Sequence, residues 1–180
     1  MKEGVDQTTI PDHDECVALL RDCGCEDHVI AHCDAVRQLA AKMASVCGAQ
    51  MQLVEAGAML HDIGRCRTHS IRHAVEGADV ARAFGLPKEL VNIIERHIGG
   101  GISEEESEAL GLPRKSYLPV TLEEKIVAHA DNLIEGTKRV SVQEAVDALA
   151  EHGLASVAER VMALHEEISR IARVDLDKLD

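Results

Sequence analysis

Aromatic side chains are almost missing from these 180 residues, which hold one Tyr, one Phe and no Trp. Basic charge is scarce as well: 19 Lys and Arg stand against 32 Asp and Glu, a formal net charge of −13. Proteins that grip a nucleic-acid strand use a basic surface and, for single strands, aromatic stacking platforms, so a long nucleic acid is not an expected partner. A small anion held by a few local cations stays open. Long apolar runs are also lacking. None approaches the roughly 18 residues that a bilayer-spanning helix needs, and the first ten residues, MKEGVDQTTI, have no apolar signal core. The expectation is a cytoplasmic protein with no membrane association. All six cysteines fall at or before Cys66, and the Cys23-Gly-Cys25 pair with Cys33 lacks zinc-ribbon spacing, which leaves reduced, partly buried thiols as the expected state.

What is present has the balance of an ordinary globular protein, 46% apolar and 28% charged, at a length that suits one domain spanning residues 1–180. With so few rings, the core must be built from Ala, Val, Leu, Ile and Met, the residues of closely packed helices. The periodicity agrees. Thr8, Thr9 and Pro11 mark a first helix start, and Gly24 its end. Val29, Cys33, Val36, Ala40, Met43 and Cys47 recur at three- and four-residue steps on a second helix closed by Gly48. MQLVEAGAMLHD is apolar on nearly all sides, so a third helix is central and carries His61 and Asp62 into the middle of the fold. A fourth is expected from about His69 to Phe84, a fifth through Leu90, Ile94 and His97, and a sixth from a Thr121 cap to about Arg139. Residues 102–119 read as a long functional loop. Two more helices follow over residues 141–175, with the apolar seam of the last serving either the core or a dimer face. The fold class is all-α, a bundle of seven to eight helices with no strand.

Several helices place an imidazole or carboxylate at or beside an apolar face: His32, His61 with Asp62, His73, His97 and Asp131. A lone histidine there is usually a satisfied core residue, but six such groups need a shared explanation. A buried carboxylate without a partner costs several kcal/mol, so something cationic must meet Asp131 and Asp62. One or two divalent transition metals answer for the whole set, and Fe, Mn, Zn, Co and Ni all suit mixed His/Asp ligation. His69, one turn before His73, is an alternative ligand on spacing alone, as His28 is to His32. His129 is turned about 200° from Asp131 and reads as a supporting or surface residue, and His13, His152 and His165 as solvent-facing.

HCDAV at His32, HDIG from His61 and AHADN around Asp131 resemble the signature of the HD-domain phosphohydrolases, over roughly residues 26–139. The resemblance implies an all-helical fold, metal binding through those residues, and Asp62 and His61 at the catalytic centre. RHAVEGADVARAFGL, ERHIGGG and LEEKIVAHADNLIEGTKR are similar in order and wording to bacterial HD-type hydrolases of symmetrical dinucleoside tetraphosphates. That similarity implies His32, His61, Asp62, His73, His97 and Asp131 as ligands. The chain departs from those hydrolases at Ile98-Gly99-Gly100, where they carry Thr-Thr-Gly, and at Glu135-Gly136-Thr137-Lys138-Arg139, where they carry Glu-Pro-x-Arg. Metal binding therefore carries over and the dinucleotide substrate does not. The whole chain, PRKSYLPVTLEEKIVAHADN included, resembles a group of archaeal HD-domain proteins of unassigned function.

The expected reaction is hydrolysis of a phosphate ester or anhydride in a small phosphorylated substrate of the nucleotide class. Arg65, Lys125, Arg139, Arg114 and Lys115 are the cations expected to bind it, the last two from a loop closing over the phosphate. A non-catalytic metal- or nucleotide-sensing module is the alternative from another class, and a cyclic-nucleotide phosphodiesterase the alternative within enzymes. The complete ligand set favours an enzyme.

Overall fold

The computed structural model describes residues 9–179 and contains nine α-helices among them. The first is α1 (His13–Cys23), where the Asp12 carboxylate accepts from the Glu15 N–H at 2.9 Å and Glu15 accepts in return from the Asp12 N–H. This reciprocal cap replaces the start read at Thr9, and Thr8 lies outside the described residues. Next come α2 (Asp27–Cys47) and α3 (Met51–Leu60). Then follow a 3-10 turn (Ile63–Cys66), α4 (His73–Ala83) and α5 (Lys88–Glu95).

As its composition demands, α3 is the central helix. Its Leu53, Val54 and the run Ala56–Leu60 are buried, and it packs against α1, α2 and α5. Gly57 permits the α3–α5 approach, since a Cβ there would stand 2.8 Å from Ile93 Cγ2.

The expected loop at 102–119 contains the ninth, unforeseen helix, α6 (Glu104–Ala109), opened by a Ser103 capping box. This segment is pinned down. Tyr117 is 2% exposed in a small cluster with Val75, Ile102 and Leu112, and its hydroxyl donates to the Pro113 carbonyl at 2.9 Å. Thr121 caps α7 (Leu122–Asn132) as read, but α7 stops seven residues before Arg139. The chain instead forms an antiparallel hairpin, β1 (Ile134–Glu135) with β2 (Lys138–Arg139). Gly136, at φ 62°, supplies the positive φ that the first position of its two-residue turn requires.

α8 (Val142–Glu151) and α9 (Ala155–Ala172) complete the bundle. The apolar seam of α9 faces inward, with Ala158, Val161, Leu164 and Ile168 buried against α7 and α8. No helix among the described residues is long and apolar enough to cross a membrane.

One histidine differs from the sequence reading: His165 is buried, not solvent-facing, and its ring meets that of His129, also buried and read as a supporting or surface residue, at 3.1 Å between α9 and α7. Burial, reinforced by His165, pushes His129 down to about 3, so it stays neutral in the fold. The described cysteines form no disulfide, and burial pushes Cys16 and Cys25 up to about 12, as expected of inert thiols.

Candidate metal centre

The structure brings all six proposed ligands to one place. His32 stands on α2, His61 directly follows α3, and Asp62 opens the 3-10 turn where the chain leaves that helix. His73 is the first residue of α4, His97 lies just past α5, and Asp131 is in the last turn of α7. His61 is fully buried, and Asp62 and His97 are 4% and 1% exposed, so water cannot solvate their charges.

The hydrogen bonds on the far side of each ring fix what faces inward. His32 Nδ1 lies 2.7 Å from the Gly136 carbonyl, His61 Nδ1 2.7 Å from Ala58, His73 Nδ1 2.8 Å from Ser70 and His97 Nδ1 2.7 Å from Ile94. A carbonyl only accepts, so each Nδ1 carries a proton and each ring turns Nε2 inward, bare wherever the ring is neutral. His32 Nε2 is 3.0 Å and His61 Nε2 3.4 Å from Asp131 Oδ1, while His73 Nε2 is 3.1 Å and His97 Nε2 3.6 Å from Asp62 Oδ1. The Nε2 atoms of His73 and His97 face each other at 3.0 Å.

Lone pairs arranged this way repel unless a proton or a metal cation lies among them. His61 Nε2 and Asp62 Oδ1 have no hydrogen-bond partner despite full burial. Separations of 3.0–3.6 Å between donor atoms are the edges that metal bonds of about 2.1 Å produce in tetrahedral to octahedral coordination. The residues therefore fit a divalent metal. Three overlapping groups can hold one: His32, His61 and Asp62; His61, His97 and Asp131; Asp62, His73 and His97. Asp62 turns Oδ1 toward His73 and His97 and Oδ2 toward His61, so it is the carboxylate that both halves share.

The electrostatics show what a metal would replace. Burial opposes charge on His61, but the Cys33 sulfur and the Asp131 and Asp62 carboxylates outweigh it and hold the imidazole well above its ordinary value. Burial works against ionised Asp62 and Asp131 as well, yet the surrounding imidazoles hold both far below the carboxylate range. Metal-free, the cluster keeps a proton on His61 that a metal must displace. Competition by that proton sets in above the ordinary imidazole range and grows as pH falls. Apparent metal affinity is expected to drop by about tenfold per pH unit below the His61 pKa, which metal titrations at successive pH values will read.

The cations expected around the substrate separate into one that reaches the centre and four that do not. Arg65 donates through Nε to Asp62 Oδ2 at 2.9 Å and lines a cavity of about 460 Å³ with His28, His32, Asp62 and His69. Lys125 is instead paired with Glu167 of α9 at 2.8 Å. Lys115 is paired with the buried Glu95 at 2.7 Å, and Arg114 with Glu104 at 3.0 Å, so neither closes over the cavity. Arg139 donates to the Leu176 and Leu179 carbonyls. His69 is exposed on the cavity wall, outside α4, and stands apart from the cluster that His73 joins. Asn132 went unread: its side chain donates to the Gly99 carbonyl at 2.9 Å, tying the Asp131 helix to the turn after His97. Its adjacency to Asp131 was the available signal.

Comparison with known proteins adds the following. The HD domain family model matches residues 29–136. A tRNA (cytidine(56)-2'-O)-methyltransferase of Thermoplasma volcanium is 46% identical over 170 residues, covering 94% of this chain and 50% of that protein. The chain thus spans half the length of that relative. An uncharacterised protein of Methanocaldococcus jannaschii is 45% identical over 157 residues, covering 83% of this chain and 92% of that one. Among solved structures, the HD domain of the L. monocytogenes phosphodiesterase PgpH superposes with a TM-score of 0.59 at 17% identity, covering 93% of this chain and 98% of that one. The same domain in complex with cyclic-di-AMP gives a TM-score of 0.60 at 16% identity, covering 90% and 95%. At such identity the likeness is one of fold.

Proposed function

Because the chain belongs to the HD-domain family, whose model spans residues 29–136, we propose that it is a metal-dependent phosphohydrolase acting on a small nucleotide. One observation carries the reading: four inward-facing Nε2 atoms and two carboxylates converge in one cluster of metal-ligating groups, beside an open cavity with an arginine on its wall. Such a donor set takes one or two divalent transition metals, and the HD-type unit is one domain with residues 26–139 as its catalytic core. When bound, the metals neutralise charge on the phosphoryl oxygens and lower the pKa of a water.

The chain's own residues supply the rest. His32, His61, Asp62 and Asp131 form one half of the site and His73, His97 and the shared Asp62 the other. Arg65 meets a phosphoryl oxygen from the cavity wall, and its bond to Asp62 keeps its guanidinium in place between substrates. His28 and His69 line the same cavity with rings outside the cluster, on the side where a leaving group would sit. In the reaction the P–O bond to the leaving group breaks, a P–O bond to water forms, and the proton that the water loses balances the one that the leaving oxygen takes. The T. volcanium relative is named for methyl transfer, but this chain spans half its length, so that activity is not carried over to it.

The test is release of phosphate or nucleotide from mononucleotides, cyclic nucleotides and dinucleoside polyphosphates, with added Mn²⁺ or Co²⁺ and with EDTA. Metal-dependent turnover of at least one class is expected, and the class turned over separates monoesterase from phosphodiesterase action. Metal binding without turnover of any class would favour the sensing alternative.

A further inference from the structure

The cavity at the metal centre has a neighbour. A second cavity of about 320 Å³ lies between α2 and the β1–β2 hairpin, and the two share Ala31 and Thr137 in their walls. Both open on one face of α2, on which His28, His32, Ala35, Gln38 and Lys42 follow at three- and four-residue steps. The small side chains of Ala31 and Ala35 leave the groove its depth. From His32 to Lys42 the helix rises about 15 Å, more than a mononucleotide spans.

We propose that this groove is a second subsite, and that the substrate is a linear nucleotide carrying a distal phosphate bound by Lys42 and Arg139. The proposal rests on the phosphohydrolase reading for its reacting end. In a chain of net charge −13 the far end of the groove is locally cationic. Lys42 is exposed and makes no ion pair among the described residues. Arg139 faces the same cavity from the hairpin, and its bonds to the Leu176 and Leu179 carbonyls hold it without cancelling its charge. The acid in this cavity wall, Asp34, is already engaged by Arg37 at 2.9 Å and Gln38 at 2.8 Å. No aromatic ring lines this second cavity, so phosphate contacts rather than base stacking set its affinity, which falls with added salt.

Fluorescence anisotropy on the metal-loaded protein tests this with a fluorescein-labelled, 5'-phosphorylated diadenylate made hydrolysis-resistant by phosphorothioate linkages, and with AMP as a displacing competitor. Lys42→Glu is expected to weaken the diadenylate about tenfold and Lys42→Ala about threefold, with AMP changed less than about twofold. Unchanged diadenylate binding in Lys42→Glu, an equal loss for AMP, or a wild type that binds diadenylate no tighter than AMP would overturn the proposal. Binding is read without turnover, so Lys42-dependent binding in a protein that hydrolyses nothing would sink the hydrolase reading and leave the subsite standing.

Discussion

Asp62→Ala is expected to abolish metal-dependent phosphate release, lowering kcat by about three orders of magnitude or more. Metal charge stabilisation is worth several kcal/mol at the transition state, and each 1.4 kcal/mol is tenfold in rate. Loss of Asp62 reaches both halves of the centre, because Oδ1 faces His73 and His97 while Oδ2 faces His61. Its removal also frees Arg65, which it holds at 2.9 Å. Asp62→Asn keeps the shape and loses the charge, and should fail almost as completely. The fold itself should survive, since the helices around the site are held by apolar packing, and circular dichroism of both variants will read that. Turnover within tenfold of wild type in either variant would remove Asp62 from the proposed centre.

Gly64→Ala is expected to be the most destabilising single-methyl change in the chain, at about 4 kcal/mol or more. A Cβ at Gly64 would stand 1.9 Å from the His73 carbonyl oxygen and 2.5 Å from the Gly77 nitrogen. Both are backbone atoms of α4, so relief requires moving the helix. Since α4 begins with His73, the displacement takes a proposed ligand away from Asp62, and metal binding should fail together with stability. The HDIG glycine is thus a packing requirement: it lets the turn after the metal pair lie directly on α4. Gly57→Ala is the contrast, because its new methyl meets side-chain atoms of Ile93, Cγ2 at 2.8 Å and Cδ1 at 2.9 Å, and no backbone atom, so a smaller loss is expected. A 4 kcal/mol loss corresponds to a fall in Tm of about 8–16 °C for a chain of this size. A melt within about 2 °C of wild type would contradict the tight approach.

The candidate metal centre was legible because its chemistry conflicts with its surroundings. Six polar groups at helical spacing on apolar faces demanded a common partner, and they do converge. The central position of α3 was equally legible, since a segment apolar on all sides has no surface-compatible face. Charged residues were not legible, because long side chains choose partners that only tertiary structure supplies. Lys125 stands six residues before Asp131, about 120° away around the helix, and Glu167 of α9 waits on that side. His129 was correctly read as turned from Asp131, yet that direction leads to His165 and not to solvent. The hairpin was invisible for another reason: two-residue strands carry no periodicity, and only Gly136 marked the turn. Loop 102–119 looked free because its anchors, Glu95 for Lys115 and Val75 for Tyr117, lie far away in sequence.

The claim that everything else depends on is that the inward Nε2 atoms and carboxylates hold metal. Its most direct test is the transition-metal content of the purified protein by inductively coupled plasma mass spectrometry, before and after EDTA dialysis and metal re-addition. About two ions per chain in wild type are predicted, falling to about one in His73→Ala, which removes a ligand from one half only. A wild-type protein that carries no transition metal, and takes up none on titration, would contradict the account.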